Sequence, residues 1–176
     1  MPKTFIKRSD TTNGVTQYSW DQYYIQSLIM DDLLVYFNMG SDGIDETPGA
    51  PNWSSADIVG STAPIRVYNS NGSRVVTFSH TFVDDYTGVD LVEVRDALAC
   101  MEYPIYNNGI VIPHIVRMRL GKILIRGTLS NLQYNWAGPI RSGYHTQLKV
   151  SLSVEELRNE TFDANSIRNG FWSTEG

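Results

Sequence analysis

Residues 117–154 decide the fold and read RMRLGKILIRGTLSNLQYNWAGPIRSGYHTQLKVSLSV. Apolar and polar residues alternate along them: Met118 and Leu120, for example, are separated by Arg119, which is the period of a half-buried strand. The turn-forming sequences LGK and AGPIRSGY divide the stretch, and we expect unbroken alternation over residues 128–136. The pattern predicts three antiparallel strands with one wet face, which the remaining strands close into a sandwich or roll.

The same region concentrates positive charge. Residues 103–154 carry six Lys or Arg and no Asp or Glu, although the 176-residue chain has a net charge of −5. The segments on either side, residues 1–102 and 155–176, are both acidic. Such asymmetry suggests that surfaces of opposite charge meet within the fold, between copies, or with another partner.

Two helices are predicted outside this stretch. Four apolar residues at spacings of three and four indicate an amphipathic helix over residues 89–101, which Pro104 ends. An additional N-terminal helix is predicted over residues 19–38, with Ser19 as N-cap and Gln22 as its capping-box partner.

The other segments are predicted to be loops and one hairpin. Residues 40–64 are rich in Gly, Pro, Ser and Asp and indicate a long loop, in which Trp53 could anchor a partner or fold back on its own domain. Residues 65–68 and 74–83 predict a β-hairpin, and the sequence YNNGIVIPH a loop. The fold class is therefore α+β, mainly an antiparallel β-barrel or sandwich with one flanking helix and the N-terminal helix.

The chain divides into an N-terminal arm, helix and long loop (residues 1–64), a β domain (65–157) and a C-terminal tail (158–176) in which Trp172 would dock onto a neighbouring subunit. The single cysteine, Cys100, allows no internal disulfide, fits cytosolic synthesis and is expected to pack inside the domain. No stretch has the apolar length of a signal peptide or membrane span, so we expect a soluble protein.

The sequence shows no reaction chemistry. It lacks the nucleophile-elbow, phosphate-loop, zinc and calcium motifs. Its three histidines, His80, His114 and His145, lie far apart, and His80 is expected to be half-buried with a backbone hydrogen bond. We therefore expect no enzyme activity, no cofactor and no metal.

Three explanations fit the basic stretch. Nucleic-acid binding would use Lys and Arg interleaved with aromatic residues, but the pI of about 5.1 is low for such a domain. The stretch could instead be a solvated sheet face. It could also be an interface with the acidic surface of the next copy, a head-to-tail contact that generates rings. The candidate contact residues are Asp84, Asp85, Asp90, Glu93 and Asp96 on the acidic side, Arg117, Arg119, Lys122 and Arg126 on the basic side, and the anchors Trp53 and Trp172.

The order of motifs adds a resemblance that covers about residues 65–157. The strand RVVTFSHTF is followed by an acidic turn, a helix ending in the pattern LxxxxYP, the strand IVRMRLG, the strand IRGTLSNLQYNW, a Pro-Gly turn and the strand HTQLKVSLSVEEL. This order resembles the tail-tube-type domain of contractile-tailed bacteriophages, in particular the baseplate proteins that start the tail tube. It is also similar to the tube and adaptor proteins of contractile injection systems.

The resemblance implies a ring of six copies that join their sheets around a lumen through which DNA passes. It implies a structural virion protein at the baseplate-to-tail-tube junction that initiates or extends the tube, assembled in the host cytoplasm. Its partners would be further copies and other tube or baseplate hub or wedge proteins, with no membrane. The alternatives are a major tail tube protein, a tail terminator or, in another class, a nucleic-acid-binding module.

Overall fold

Most of the described chain forms β-strands, as the alternating sequence leads one to expect. The computed structural model describes residues 23–30, 32–37, 43–57, 59, 62–84, 90–141, 143–157 and 168. The strands are β1 (Tyr23–Ser27), β2 (Leu34–Tyr36), β3 (Gly43–Thr47), β4 (Pro51–Ala56), β5 (Ile65–Asn71), β6 (Val75–Val83), β7 (Ile105–Asn107), β8 (Ile110–Ile112), β9 (Val116–Leu120), β10 (Ile123–Arg141) and β11 (Tyr144–Glu156). The helix α1 is Leu91–Glu102.

Seven of these strands form one antiparallel sheet in the order β2-β1-β9-β10-β11-β6-β3. The three strands predicted from the opening stretch, β9 to β11, lie at its centre, so that prediction is confirmed. Met118 lies between Ile25 and Ile125 on the neighbouring strands, and all three are buried. The apolar sides of the strands thus combine into one core-facing surface, which we call the inner face.

Helix α1 covers this inner face. Its buried side, which includes Leu91, Val94 and Leu98, contributes to the same hydrophobic core. Asp90 caps it by accepting a hydrogen bond from the Val92 N–H at 2.8 Å. The predicted flanking helix is therefore confirmed, with an end two residues before Pro104.

The sheet is strongly curved. Phe37 directly follows the edge strand β2, yet its ring lies 4.6 Å from that of Phe78 and 6.0 Å from that of Phe82, both on β6. Five strand spacings of about 4.8 Å separate β2 from β6, so a flat sheet would hold them about 24 Å apart. The described strands nevertheless leave the sheet open, since β2 and β3 remain its edges. The predicted antiparallel, helix-flanked architecture is present, but no closed barrel forms among the described strands.

The predicted N-terminal helix is wrong over the part of residues 19–38 that the structure describes. These residues form the hairpin β1–β2, in which Ile25 and Val35 face the core as a cross-strand pair. Along its other side β1 pairs with β9, far away in sequence, and this long-range pairing overrides the local helical spacing. The predicted caps Ser19 and Gln22 lie outside the described residues.

The predicted long loop and hairpin also need correction. Residues 40–64 contain β3, which extends the main sheet, and β4, which pairs with β5. β5 does not pair with β6, because β11 and β3 already pair with the two edges of β6. The chain segments that enter and leave the β4–β5 hairpin pass very close to each other at its base. Position 49 needs glycine there, because a Cβ at Gly49 would lie 1.8 Å from the carbonyl oxygen of Gly72.

The structure also corrects three smaller predictions, for the segment YNNGIVIPH, for Cys100 and for His80. The predicted loop YNNGIVIPH contains the hairpin β7–β8, whose turn residues Asn108 and Gly109 have φ values of 48° and 81°. Cys100 is exposed on α1 instead of packed inside. His80 is fully buried, at 2% exposure, among the rings of Phe37, Phe78 and Phe82.

Candidate interaction surface

The side of the sheet that faces away from α1 carries the predicted basic residues. On β2, β1, β9 and β10, residues that pair across the strands lie side by side, because paired residues point to the same face. Two rows result: Tyr36, Tyr24, Arg119 and Leu124 in one, and Leu34, Gln26, Arg117 and Arg126 in the other. We call these eight residues the basic face.

A groove of about 310 Å³ opens on the basic face. Its lining is part aromatic, part polar and part basic, and consists of Tyr24, Gln26, Leu34, Tyr36 and Arg119. The rings of Tyr24 and Tyr36 meet edge to face, with centroids 6.2 Å apart. The groove can therefore accept a chain segment that offers both an apolar contact and a negative charge.

The arginines of the basic face have no carboxylate partner in the part of the chain that the structure describes. Among the described residues, Arg117, Arg119 and Arg126 make no ion pair; Arg119 Nε donates to the Gly121 carbonyl at 3.3 Å. Arg117 lies directly opposite Arg126, and like charges that face each other across two strands are destabilising. Lys122 is exposed in the turn between β9 and β10. The structure therefore places Arg117, Arg119 and Arg126 on one surface, and their role in subunit contact stays a prediction.

The predicted acidic surface lies on the opposite side of the sheet. Helix α1 covers the inner face, where the Tyr134 hydroxyl donates to the Arg95 carbonyl at 3.0 Å. The carboxylates Asp90, Glu93 and Asp96 are exposed, and among the described residues only Asp96 has a cationic partner, Arg95 at 2.6 Å. The acidic and basic surfaces cannot meet within one copy of this sheet.

Of the other predicted contact residues, Asp84 and Trp53 lie in the part of the chain that the structure describes. Asp84 is exposed at the end of β6, while Asp85 and Trp172 lie outside the described residues. Trp53 is on β4, opposite Tyr68 on β5, with ring centroids 5.3 Å apart and half of the Trp53 side chain exposed. We call the β4–β5 hairpin the arm. Nearly every residue along both of its strands is exposed.

Two buried polar groups hold the sheet together. The first is Arg74, which directly precedes β6 and is 3% exposed. Its Nε donates to Glu46 on β3 at 2.6 Å. Its Nη1 donates to the Leu124 carbonyl on β10 at 3.3 Å and lies 3.9 Å from a carboxylate oxygen of Glu156 on β11. The guanidinium therefore joins three neighbouring strands to the edge strand β3. Such a buried charge is tolerated only because it is paired.

The second buried group is the pair Ser27 and His114. Ser27 Oγ lies 2.7 Å from His114 Nε2 and accepts the backbone N–H groups of Ile29 and Met30, so its hydroxyl donates to the imidazole. Burial lowers the pKa of His114, and a backbone contact with Tyr103 offsets only part of that effect. The serine is fully buried and its oxygen is saturated with hydrogen bonds, so the pair fixes the β1–β2 turn and does not present a nucleophile.

The described residues contain no group of His, Cys, Asp and Glu arranged to hold a metal ion. Among the same residues, no helix has both the length and the apolarity to cross a membrane. Comparison with models of known protein families finds no match, and comparison with curated protein sequences finds none either.

Sequence reasoning missed the groove because it assigned Tyr24 and Tyr36 to a helix. The segments YYIQS and LVY carried a usable signal, since Tyr, Ile and Val favour strands. Their pairing with β9 is what brings the two tyrosines beside Arg119.

Proposed function

We propose that this protein is a structural subunit of a contractile phage tail that forms a ring at the baseplate-to-tube junction and initiates or extends the tail tube. The observation that carries the proposal is the placement of an acidic helix on one side of a curved sheet and, on the other side, of three arginines that make no ion pair with any described residue. Complementary surfaces that face opposite ways favour head-to-tail association, which closes into a ring when the rotation permits. The order of motifs over residues 65–157 supplies the class of assembly.

Sheet joining gives the ring its continuity. Among the described strands β2 and β3 are the edges of the sheet, and an edge strand is where a strand of the next copy can add. Charge attraction between α1 of one copy and the basic face of the next fixes the register of that pairing. Six copies enclose a lumen through which DNA passes.

The arm supplies contacts to other tail proteins. An isolated two-stranded hairpin is only marginally stable in water, and Trp53 and Tyr68 expose aromatic surface near its base. Covering these rings would stabilise both the hairpin and the contact. The partner is a baseplate hub or wedge protein on one side or the first tube ring on the other.

Electron microscopy of the purified protein tests the proposal. Discrete rings support an initiator, and long polymers support the repeating tube protein. A protein that stays monomeric at every accessible concentration contradicts both assignments.

A charge reversal tests the role of the basic face. The double variant Arg117→Glu, Arg119→Glu should fold like wild type, because both side chains are only half-buried and have no carboxylate partner among the described residues. Ring formation should weaken by at least about ten-fold, since each new carboxylate faces an acidic neighbour. The control Gln133→Glu, Asn135→Glu adds two carboxylates at exposed positions of β10 outside the basic face. Unchanged rings in the reversal variant would refute the charge contact.

One observation favours a nucleic-acid-binding module as the second candidate. Tyr24 and Tyr36 lie beside Arg119, and aromatic rings next to guanidinium groups bind single strands. Titration with single-stranded DNA at low and moderate salt separates the candidates, because phosphate contacts make affinity fall steeply with salt.

A further inference from the structure

Three arginines lie in or beside the groove on the basic face: Arg119 lines it, and Arg117 and Arg126 lie in the neighbouring row. Arg117 is half-buried, and Arg117 and Arg126 face each other without a carboxylate among the described residues. Paired Cβ atoms on neighbouring strands are about 5 Å apart, and residues two apart on one strand about 7 Å apart. Arg117, Arg119 and Arg126 thus form a triangle that suits two negative charges placed a similar distance apart.

Helix α1 presents such a pair of charges. Glu93 and Asp96 are exposed and three residues apart, which places their Cβ atoms about 5–6 Å apart on the helix surface. Val92, also exposed, lies one turn before Asp96 and can contact the rings of Tyr24 and Tyr36. Asp96 is already bridged to Arg95, but both side chains are largely exposed, so that bridge contributes little and can exchange partners.

The geometry favours this helix over a nucleic acid. Tyr24 and Tyr36 contact each other edge to face at an interplanar angle of 67°, so they do not offer parallel faces for successive bases. The chain is acidic overall, with a pI of about 5.1, which opposes a polyanion. A second copy of the chain, in contrast, brings the complementary charge on the side of its sheet that faces away from its own groove.

From these contacts we infer that the Glu93–Asp96 side of α1 in one copy docks into the groove of the next copy, with the two carboxylates against Arg117, Arg119 and Arg126. This contact rests on the proposed ring and identifies the element and the socket that join its subunits.

Cross-linking through the only cysteine of the chain tests the contact. Cys100 is exposed one helical turn beyond Asp96, on the same line of α1. With Gln26→Cys in the groove, mild oxidation should give a ladder of disulfide-linked multimers. Gln133→Cys, elsewhere on the outer side of the sheet, should give at most about a tenth of that yield, because a disulfide needs Cα atoms within about 7 Å. Q26C in a Cys100→Ser background has one thiol per chain and should give no cross-link; disulfide-linked dimers formed there as readily as with Cys100 present would mean that grooves meet grooves and would overturn the inference.

Complementary charge variants provide a second test. E93K/D96K and R117E/R126E should each fold, because Glu93, Asp96 and Arg126 are exposed and Arg117 is half-buried, and each alone should lose ring formation by at least about ten-fold. A 1:1 mixture should restore rings, since the lysines of one variant then face the glutamates of the other. Rings formed by either variant alone overturn the helix-in-groove contact but leave the proposed function standing.

Two other outcomes have clear meanings. Wild-type protein that never assembles contradicts the ring proposal and this contact together. Wild-type protein that stays monomeric and binds single-stranded DNA, with that binding lost in R117E/R126E, assigns the groove to nucleic acid and also overturns the contact.

Discussion

Replacing Phe37 by alanine tests the curvature that brings the edge strand β2 to β6. Phe37 is 2% exposed and contacts the rings of Phe78, His80 and Phe82 at 4.6, 5.4 and 6.0 Å. Buried Phe→Ala substitutions lower the free energy of unfolding by about 3–5 kcal/mol. Because the Phe37 ring contacts three other rings, we expect a loss of about 4 kcal/mol. With an m-value of about 2 kcal/mol/M, the midpoint of urea unfolding should fall by about 2 M.

Leu34→Ala provides the matched control. Leu34 is on the same strand but half-buried on the outer face, so its truncation should cost only about 1 kcal/mol. Circular dichroism in a urea series measures both variants. A loss for Phe37→Ala no larger than that for Leu34→Ala would refute the curved sheet, because β2 would then not reach β6.

Three further substitutions test the buried polar groups and the arm. Arg74→Ala should lower the free energy of unfolding by about 3 kcal/mol, measured by urea denaturation, because it leaves the largely buried Glu156 without its cation. The pKa of His114 in the folded protein is lowered from its unfolded value of 6.5. As the pH falls through 6.5, the unfolded chain therefore binds more protons than the folded chain, and wild type should lose stability. In His114→Gln this part of the loss should be absent, which urea midpoints at about pH 7.5 and about pH 5 would show. Trp53→Ala should change stability by less than about 1 kcal/mol because the ring is half exposed, while pull-down of a neighbouring tail protein should fail.

Local periodicity was sufficient where each element is defined by its own residues. Two of the central strands, β9 and β11, alternate strictly enough to show which residues are buried, such as Met118 and Leu120 on β9. In α1 the apolar residues at spacings of three and four, followed by Pro104, gave both the type of element and its end to within a few residues. In these elements the local preference and the tertiary environment favour the same conformation.

Long-range pairing explains what the sequence did not show. Residues 19–38 contain helical spacings as well as strand-forming residues, and the choice between them depends on β9, about ninety residues away. β6 was likewise predicted to pair with its neighbour in sequence, whereas its partners are β11 and β3. Only the complete sheet determines these partners.

The expected unbroken alternation over residues 128–136 was also wrong, for a local reason. The register between β10 and β11 shifts between Leu129 and Asn131, so Leu129 and Leu132 both face the core although they are three residues apart. A β-bulge inserts one residue and reverses the alternation. The apolar residues change phase at this point in the sequence, which was a readable sign of the bulge.

Repulsion between the like charges of the basic face destabilises a single copy, which raises the question of what these charges are for. A solvated sheet face is most stable with opposite charges side by side, yet Arg117 lies opposite Arg126, and the exposed carboxylates of α1 are on the other side of the sheet. In the proposed ring, these two charge clusters of different copies would meet and relieve each other. Mass action then links assembly to stability, so the thermal midpoint of wild type should rise with protein concentration. In Arg117→Glu, Arg119→Glu it should not, and an equal rise in both proteins would show that the clusters do not contribute to association.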